Sequence, residues 1–222
     1  VNSTATLAGI AALVLWSALA LLAVRLSDIP PFQIVTIGFG IAALLSILRW
    51  IGRGENIALR LRQPVGAWLL GVGGLFGYHF CYFLALTLAP PVQANLVNYL
   101  WPLLIVLFSA MLPGHSLRVV HVLGAVMGFA GAGLLVAGRG LGEIEAAHLP
   151  GYGLALACAL IWSGYSVANR RYATVPTDVV GGFCAATALL ALACHLAFET
   201  TIWPDAQAWL LLLAIGLGPL GA

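Results

Sequence analysis

Tyr78, His79 and Tyr82 sit inside one long apolar stretch, and Asn95, Asn98, Tyr99 and Trp101 sit inside the next. On a helix Tyr78 and Tyr82 are four residues apart and share a face, while Asn95, Asn98, Tyr99 and Pro102 make a second such stripe. Rings offer flat faces for stacking, and amides and an imidazole offer hydrogen bonds. These residue types therefore suit noncovalent recognition of a flat solute that carries a polar end. His79 has two readings. A lone His at this depth is commonly hydrogen-bonded across a helix pair; the functional readings are contact with a substrate carboxylate or a proton relay, which an imidazole's titration near neutral pH suits.

Tryptophan in membrane proteins prefers the interface, where its ring meets headgroups and its N–H finds water, and Trp50, Trp68, Trp203 and Trp209 fall at such places. Trp16, Trp101 and Trp162 fall near the middle of their apolar stretches, where an indole donor facing lipid would be unsatisfied. They either fill helix contacts and bond a neighbouring carbonyl, or they line a central cavity. Pro102 removes one helical hydrogen bond, so the fourth apolar stretch either kinks for packing or opens there and frees a carbonyl for a ligand. Ser163, Ser166 and Asn169 accompany Trp162 and Tyr165 in a further polar and aromatic stripe, with Asn169 near a helix end.

Covalent chemistry has no support. The sequence lacks Gly-x-Ser-x-Gly, His-Glu-x-x-His, a Gly-x-x-x-x-Gly-Lys loop and a pair of intramembrane aspartates, so no catalytic residue is assigned and an ATP-driven pump has no engine here. Cys81, Cys158, Cys184 and Cys194 lie in apolar runs without metal-ligand or redox spacing and read as buried free thiols. No metal and no cofactor is called for.

The elements that must position the rings follow from composition. With 62% hydrophobic and 7% charged residues the chain cannot form an ordinary water-facing surface, and its natural solvent is a lipid bilayer. All nine basic residues are Arg, and a net charge of +2 without a basic patch excludes nucleic-acid binding. A bilayer core about 30 Å thick needs about 20 apolar residues per helix. On that measure the chain holds eight candidate spans, at 5–26, 32–51, 65–89, 91–112, 117–138, 151–173, 178–199 and 207 onward, joined by short links rich in Pro, Gly or charge. The first is too long for a signal-peptide core and is expected to be retained. Gly73-x-x-x-Gly77 and Gly124-x-x-x-Gly128 are expected to let helices approach closely.

Placing the N-terminus in the cytoplasm puts Arg49, Arg53, Arg60, Arg62, Arg118, Arg170 and Arg171 inside and leaves only Arg25 and Arg139 outside. Trp16-Ser17, Arg25 and Pro30 recur as Trp162-Ser163, Arg171 and Pro176 at one offset of 146 residues. Five spans separate the copies, so the second runs through the bilayer opposite to the first, as in the inverted repeats of secondary transporters. Trp68 with Gly74-x-x-Gly77 and Trp209 with Gly218-x-x-Gly221 extend the correspondence. The expected architecture is all-α and integral to the membrane: a first repeat of five helices over 1–138, a connector over 139–150, and an incomplete second repeat over 151–222. Its natural form is expected to continue through roughly two and a half further spans.

The Trp-Ser pairs, the glycine-rich third span, the run Asn98-Tyr99-Leu100-Trp101-Pro102-Leu103 and the Gly124 to Leu135 run together resemble the EamA family of the drug/metabolite transporter superfamily. That resemblance covers essentially the whole chain and implies two inverted five-helix repeats, ten helices in all, with both termini cytoplasmic. More narrowly, Gly77 to Tyr82 with the Asn-Tyr-Leu-Trp-Pro run looks like the aromatic amino-acid exporters of bacterial inner membranes. Many family members carry an acid where the fourth span reaches the cytoplasm; Pro113-Gly114-His115 stands there instead, so a mechanism leaning on that acid does not transfer.

The resemblance implies export of aromatic and other hydrophobic amino acids by alternating access. The residues expected around the substrate, in a cavity between the repeats, are Trp16, Tyr78, His79, Tyr82, Asn98, Tyr99, Trp101 and Trp162. The competing readings are a carrier of quaternary ammonium drugs, which aromatic cages also bind, and a non-transporting membrane scaffold. The sequence sets no oligomeric state, with a monomer as the simplest case.

Overall fold

The computed structural model describes residues 25–26, 28–112, 118–137, 145–218 and 220. The first predicted span, with Trp16, lies almost wholly outside them. The described residues are helical: α1 (Pro31–Gly52), α2 (Ile57–Leu61), α3 (Val65–Leu88), α4 (Pro91–Asn98), α5 (Trp101–Ala110), α6 (Val119–Ala137), α7 (Leu149–Ala168), α8 (Val180–Phe198) and α9 (Ala206–Leu217). Single 3-10 turns cover Ala146–His148, Asn169–Tyr172 and Thr177–Val179. Asn169 thus opens the turn that ends α7. Five stretches are long and apolar enough to cross a bilayer, and Val119–Gly131 and Ala206–Leu217 are shorter apolar helices. All four cysteines are free, Cys158 and Cys184 buried and Cys81 and Cys194 half-buried.

The chain forms two compact units, residues 1–63 with 176–222 and residues 64–175. Each takes chain from both sides of the predicted 139–150 connector.

In the first unit α1 packs along α8, with α9 also against α1. Proline at the first helical position suits α1, because the N–H it lacks would have no intrahelical acceptor. The face of α1 carrying Phe32, Val35, Phe39, Ala42, Ala43 and Trp50 is buried. The buried residues of α8 include Gly181, Gly182, Cys184, Ala188 and Ala191, and a Cβ on Gly181 would collide with Ser46, so glycine sets the helix separation there. Leu26, Ile29, Leu212 and Ile215 form a core cluster under α9.

Both ends of the α1 and α8 pair are fastened by polar groups. At the start of α1 the Glu199 carboxylate accepts from the Phe32 N–H (3.0 Å) and the Gln33 N–H (3.2 Å), capping the helix from the far end of the unit's sequence. His195 Nδ1–H donates to the same carboxylate at 2.8 Å, and the Thr201 hydroxyl meets Nε2 at 2.9 Å. The Gln33 amide exchanges two hydrogen bonds with the Ile202 backbone, at 2.6 and 3.0 Å. At the other end Trp50 donates its indole N–H to Asp178 (3.3 Å), and Arg60 pairs with Glu55 (2.8 Å) and Asp178 (3.4 Å). Trp50 is expected to send its N–H to interfacial water; at 1% exposure it is a core residue whose N–H goes to a carboxylate.

In the second unit α7 runs antiparallel to α3: Gly66 meets Tyr172, Gly74 meets Tyr165 and Ala89 meets Gly151. A Cβ at Gly74 would collide with the Tyr165 ring. The close approach therefore falls beside the expected Gly73-x-x-x-Gly77 pair, at Gly74. Ala85, Ala89, Ala94 and Ala155 form a buried cluster where α3, α4 and α7 meet.

Candidate aromatic binding site

The fourth predicted span is two helices. Its backbone leaves the α-helical pattern after Asn98: Tyr99 N–H still bonds the Asn95 carbonyl four residues back, but Leu100 N–H bonds the Val97 carbonyl three residues back in a tightened 3-10 manner. Helical bonding resumes at Trp101, with Pro102 at the second position of α5. The cause is Pro102: it has no N–H to give the Asn98 carbonyl, and its ring crowds that same carbonyl four residues back. Asn95, Asn98, Tyr99 and Pro102 consequently do not continue one helical stripe, as a single straight helix requires.

The Trp101 carbonyl at this break is not left open. Ser163 of α7, fully buried, shares its hydroxyl proton between that carbonyl (2.9 Å) and the Ala159 carbonyl (2.6 Å). The second Trp-Ser pair thus pins the break to α7. Cys158, five residues earlier, makes a long thiol contact to the Tyr78 carbonyl at 3.5 Å.

Against this break α3 presents its rings. Tyr78 and Tyr82 lie four residues apart and stack with centroids 5.7 Å apart and planes 8° from parallel. The Trp162 ring approaches Tyr78 at 5.4 Å and Tyr165 at 5.6 Å. Each tyrosine hydroxyl is tied to α4: Asn98 Nδ2 donates to Tyr78 Oη at 3.0 Å, and Tyr82 Oη donates to Asn95 Oδ1 at 2.9 Å. The Asn95 amide then donates to the Pro91 carbonyl at 2.8 Å. Tyr152 and Gln93 make a further bond between α7 and α4.

His79 Nδ1–H donates to the Leu75 carbonyl of its own helix at 2.7 Å. The bond across a helix pair that a lone intramembrane His commonly makes is replaced, at this nitrogen, by one within α3. The ring stands edge-on to Tyr78, with centroids 5.3 Å apart.

Five of the eight expected site residues are thus brought together: Tyr78, His79, Tyr82, Asn98 and Trp162. Trp101 enters through its backbone carbonyl, and Tyr99, on the break itself, is 50% exposed. Trp16 lies outside the described residues. The roles of Ser163 and Asn95 as ties were not assigned by the sequence. Ser163 is flagged by the repeat and Asn95 by its stripe, but neither spacing names the partner. The His195 and Glu199 pair carried a usable signal, their i, i+4 spacing at a helix end.

The profile of the EamA-like transporter family matches residues 3–137. A protein of Ancylobacter novellus called aromatic amino acid exporter YddG is 52% identical over 221 residues, 99% of this chain and 77% of that one. Proteins of the same name from Salmonella typhimurium and Escherichia coli are 31% and 29% identical, over 78% and 76% of this chain. The chain spans 61% and 60% of those two relatives. A crystal structure of a protein 52% identical matches the whole of this chain and 76% of its own, with a TM-score of 0.91.

Proposed function

Since the chain belongs to the EamA-like transporter family, we propose that it exports aromatic and other hydrophobic amino acids across the bacterial inner membrane by alternating access. The observation that carries this reading is the ring cluster Tyr78, Tyr82 and Trp162, laced by two hydroxyl–amide bonds to a helix broken within its apolar stretch. Stacked or edge-on ring pairs contribute about 0.5–1.5 kcal/mol each beyond area burial, and a substrate ring joining the cluster gains on that scale. The amides and His79 give the polar end of the solute hydrogen bonds at a depth where lipid offers none. The names of the Ancylobacter, Salmonella and Escherichia relatives support aromatic amino acids as the class.

In this reading Tyr78, His79, Tyr82, Asn98, Tyr99, Trp101 and Trp162 contact substrate, and Trp16 joins them on the strength of the repeat correspondence with Trp162. The two halves, 1–138 and 151–222, are inverted repeats, and the binding side chains face one side of the membrane at a time. The N-terminus is cytoplasmic on the Arg distribution.

The test is counterflow of labelled Trp and Phe in proteoliposomes. The parent is expected to exchange both, and His79→Ala and Trp101→Ala to slow exchange at least tenfold at low substrate. Exchange in both variants as fast as in the parent would remove the site from the reading, and a parent that carries neither amino acid would end it.

A further inference from the structure

Asn98 is 5% exposed, and its side-chain Oδ1 is buried with no hydrogen-bond partner in the protein. Its Nδ2 donates to Tyr78 Oη at 3.0 Å. A buried acceptor left without a donor costs about as much as a lost hydrogen bond, so one in a binding region calls for a donor from outside the protein. The surroundings specify the donor's charge. Asn98 is the last residue of α4, and the carbonyl dipoles of a helix converge on its C-terminus, where cations are favoured. The break adds a second acceptor, since Pro102 has no N–H for the Asn98 main-chain carbonyl. Broken helices of other transporters use such C-terminal ends and freed carbonyls to hold cations.

We infer that Asn98, at the α4–α5 break, receives the ammonium group of the substrate through its side-chain Oδ1. The inference rests on the amino-acid reading above and sharpens it by assigning one end of the zwitterion to one atom. The ring of the same substrate then reaches the Tyr78 and Trp162 faces, because Tyr78 is bonded to Asn98 and packed on Trp162. The site uses neutral dipoles in place of a carboxylate, so it has no full charge to leave uncompensated when the carrier is empty.

Three solutes sharing one ring separate the parts: phenylalanine, phenyllactate with a hydroxyl in place of the ammonium, and phenethylamine without the carboxylate. Each is tested as a competitor of labelled-Phe counterflow in proteoliposomes. With the parent, phenethylamine is expected to compete at least tenfold more strongly than phenyllactate. Asn98→Leu, close in shape and without an acceptor, is expected to raise the KM for Phe roughly ten- to a hundredfold, the worth of one hydrogen bond to a charged group, and to abolish the preference for phenethylamine. Asn98→Asp keeps the acceptor and adds charge, and is expected to make phenethylamine the stronger competitor by a further tenfold or more. Equal weakening of phenyllactate and Phe in Asn98→Leu, or a parent that favours phenyllactate, would overturn the assignment while leaving Phe transport standing. A parent that carries no Phe overturns the substrate reading and this assignment with it. If Asn98→Leu does not fold, the parent's order of competitors and Asn98→Asp decide.

Discussion

The two units handle polar groups in opposite ways. In the first, the hydrogen-bonding side chains gather at the two ends of the α1 and α8 pair and satisfy one another: Glu199 with His195 and the start of α1, Asp178 with Trp50 and Arg60. Between those ends the contact is mostly apolar, through Phe39, Ala42, Gly181 and Ala188, with one buried hydroxyl, that of Thr187, left without a partner. In the second unit polar groups stand within α3, at Tyr78 and Tyr82, and beside the α4–α5 break, at Asn95 and Asn98, and the buried Asn98 Oδ1 has no protein donor. Polar groups at helix ends replace water that the backbone would otherwise bond; polar groups at depth are costly unless something completes them. The first arrangement is a fastening. The second has the features of a site that a ligand finishes.

If that contrast holds, changes in the first unit act on folding and changes in the second act on substrate. The largest effect is expected at Glu199. Glu199→Ala strips two α1 N–H groups of their acceptor and removes the partner of His195, which is 4% exposed. Breaking one side of a buried pair costs about 3–5 kcal/mol. The purified variant is expected to lose its folded, monodisperse peak at a temperature well below the parent's. Whatever remains folded should show the parent's KM for Phe, and a raised KM with unchanged thermal stability would reverse the assignment of the two units.

Next in size is Trp162→Ala, which removes the ring contacts to Tyr78 and Tyr165. The KM for Phe and Trp is expected to rise roughly tenfold, with a smaller change for an aliphatic amino acid, because the lost term is ring stacking. Equal losses for aromatic and aliphatic substrates would point to collapse of the cluster instead.

Much of this was legible in the residues. Length and hydropathy located the long described helices to within a few positions, because a bilayer demands about 20 apolar residues per crossing whatever the tertiary contacts are. They located neither the short α2 nor the division of 91–112 into two helices. The Tyr78 and Tyr82 face followed from i, i+4 spacing, and the weakness at Pro102 from a missing N–H. Partners at long range were not legible. Nothing in the spacing of Glu199 points to the start of α1, some 166 residues away, and nothing in Trp162-Ser163 says that the hydroxyl reaches the Trp101 carbonyl. The division into units was hidden for the same reason: it joins residues 1–63 to 176–222 through the α1 and α8 contact, which only folding creates.

A smaller effect is expected from Ser163→Ala, which unties the α4–α5 break from α7 while leaving every ring in place. A neutral hydrogen bond contributes about 0.5–1.5 kcal/mol net. The Trp101 carbonyl then loses its tie to α7, and the break gains freedom near the proposed substrate site. The KM for Phe is expected to rise two- to tenfold with little loss of folded protein, and Ser163→Thr, which keeps the hydroxyl, to restore most of it. Failure of threonine to rescue while protein yield stays at the parent's level would show that volume at this position matters and the bond does not.

The smallest effect is expected from Trp50→Phe, and it tests the fastening end of the comparison where the fastening is weakest. Trp50 is buried, but the Asp178 carboxylate that accepts its N–H at 3.3 Å is also served by Arg60, with about a third of the Asp178 side chain exposed. Losing the indole N–H leaves that carboxylate with Arg60 and water, so the hydrogen-bond loss stays near 1 kcal/mol, and phenylalanine retains most of the apolar volume against Gly181. The variant is expected to unfold a few degrees below the parent and to carry Phe with the parent's KM. Asp178→Ala, which removes the acceptor together with the Arg60 pair, should cost less in this background than in the parent, because the indole bond is already lost and effects that share one bond do not sum. Full additivity of the two would mean that Trp50 is held by packing alone and that this end of α1 is not fastened through Asp178.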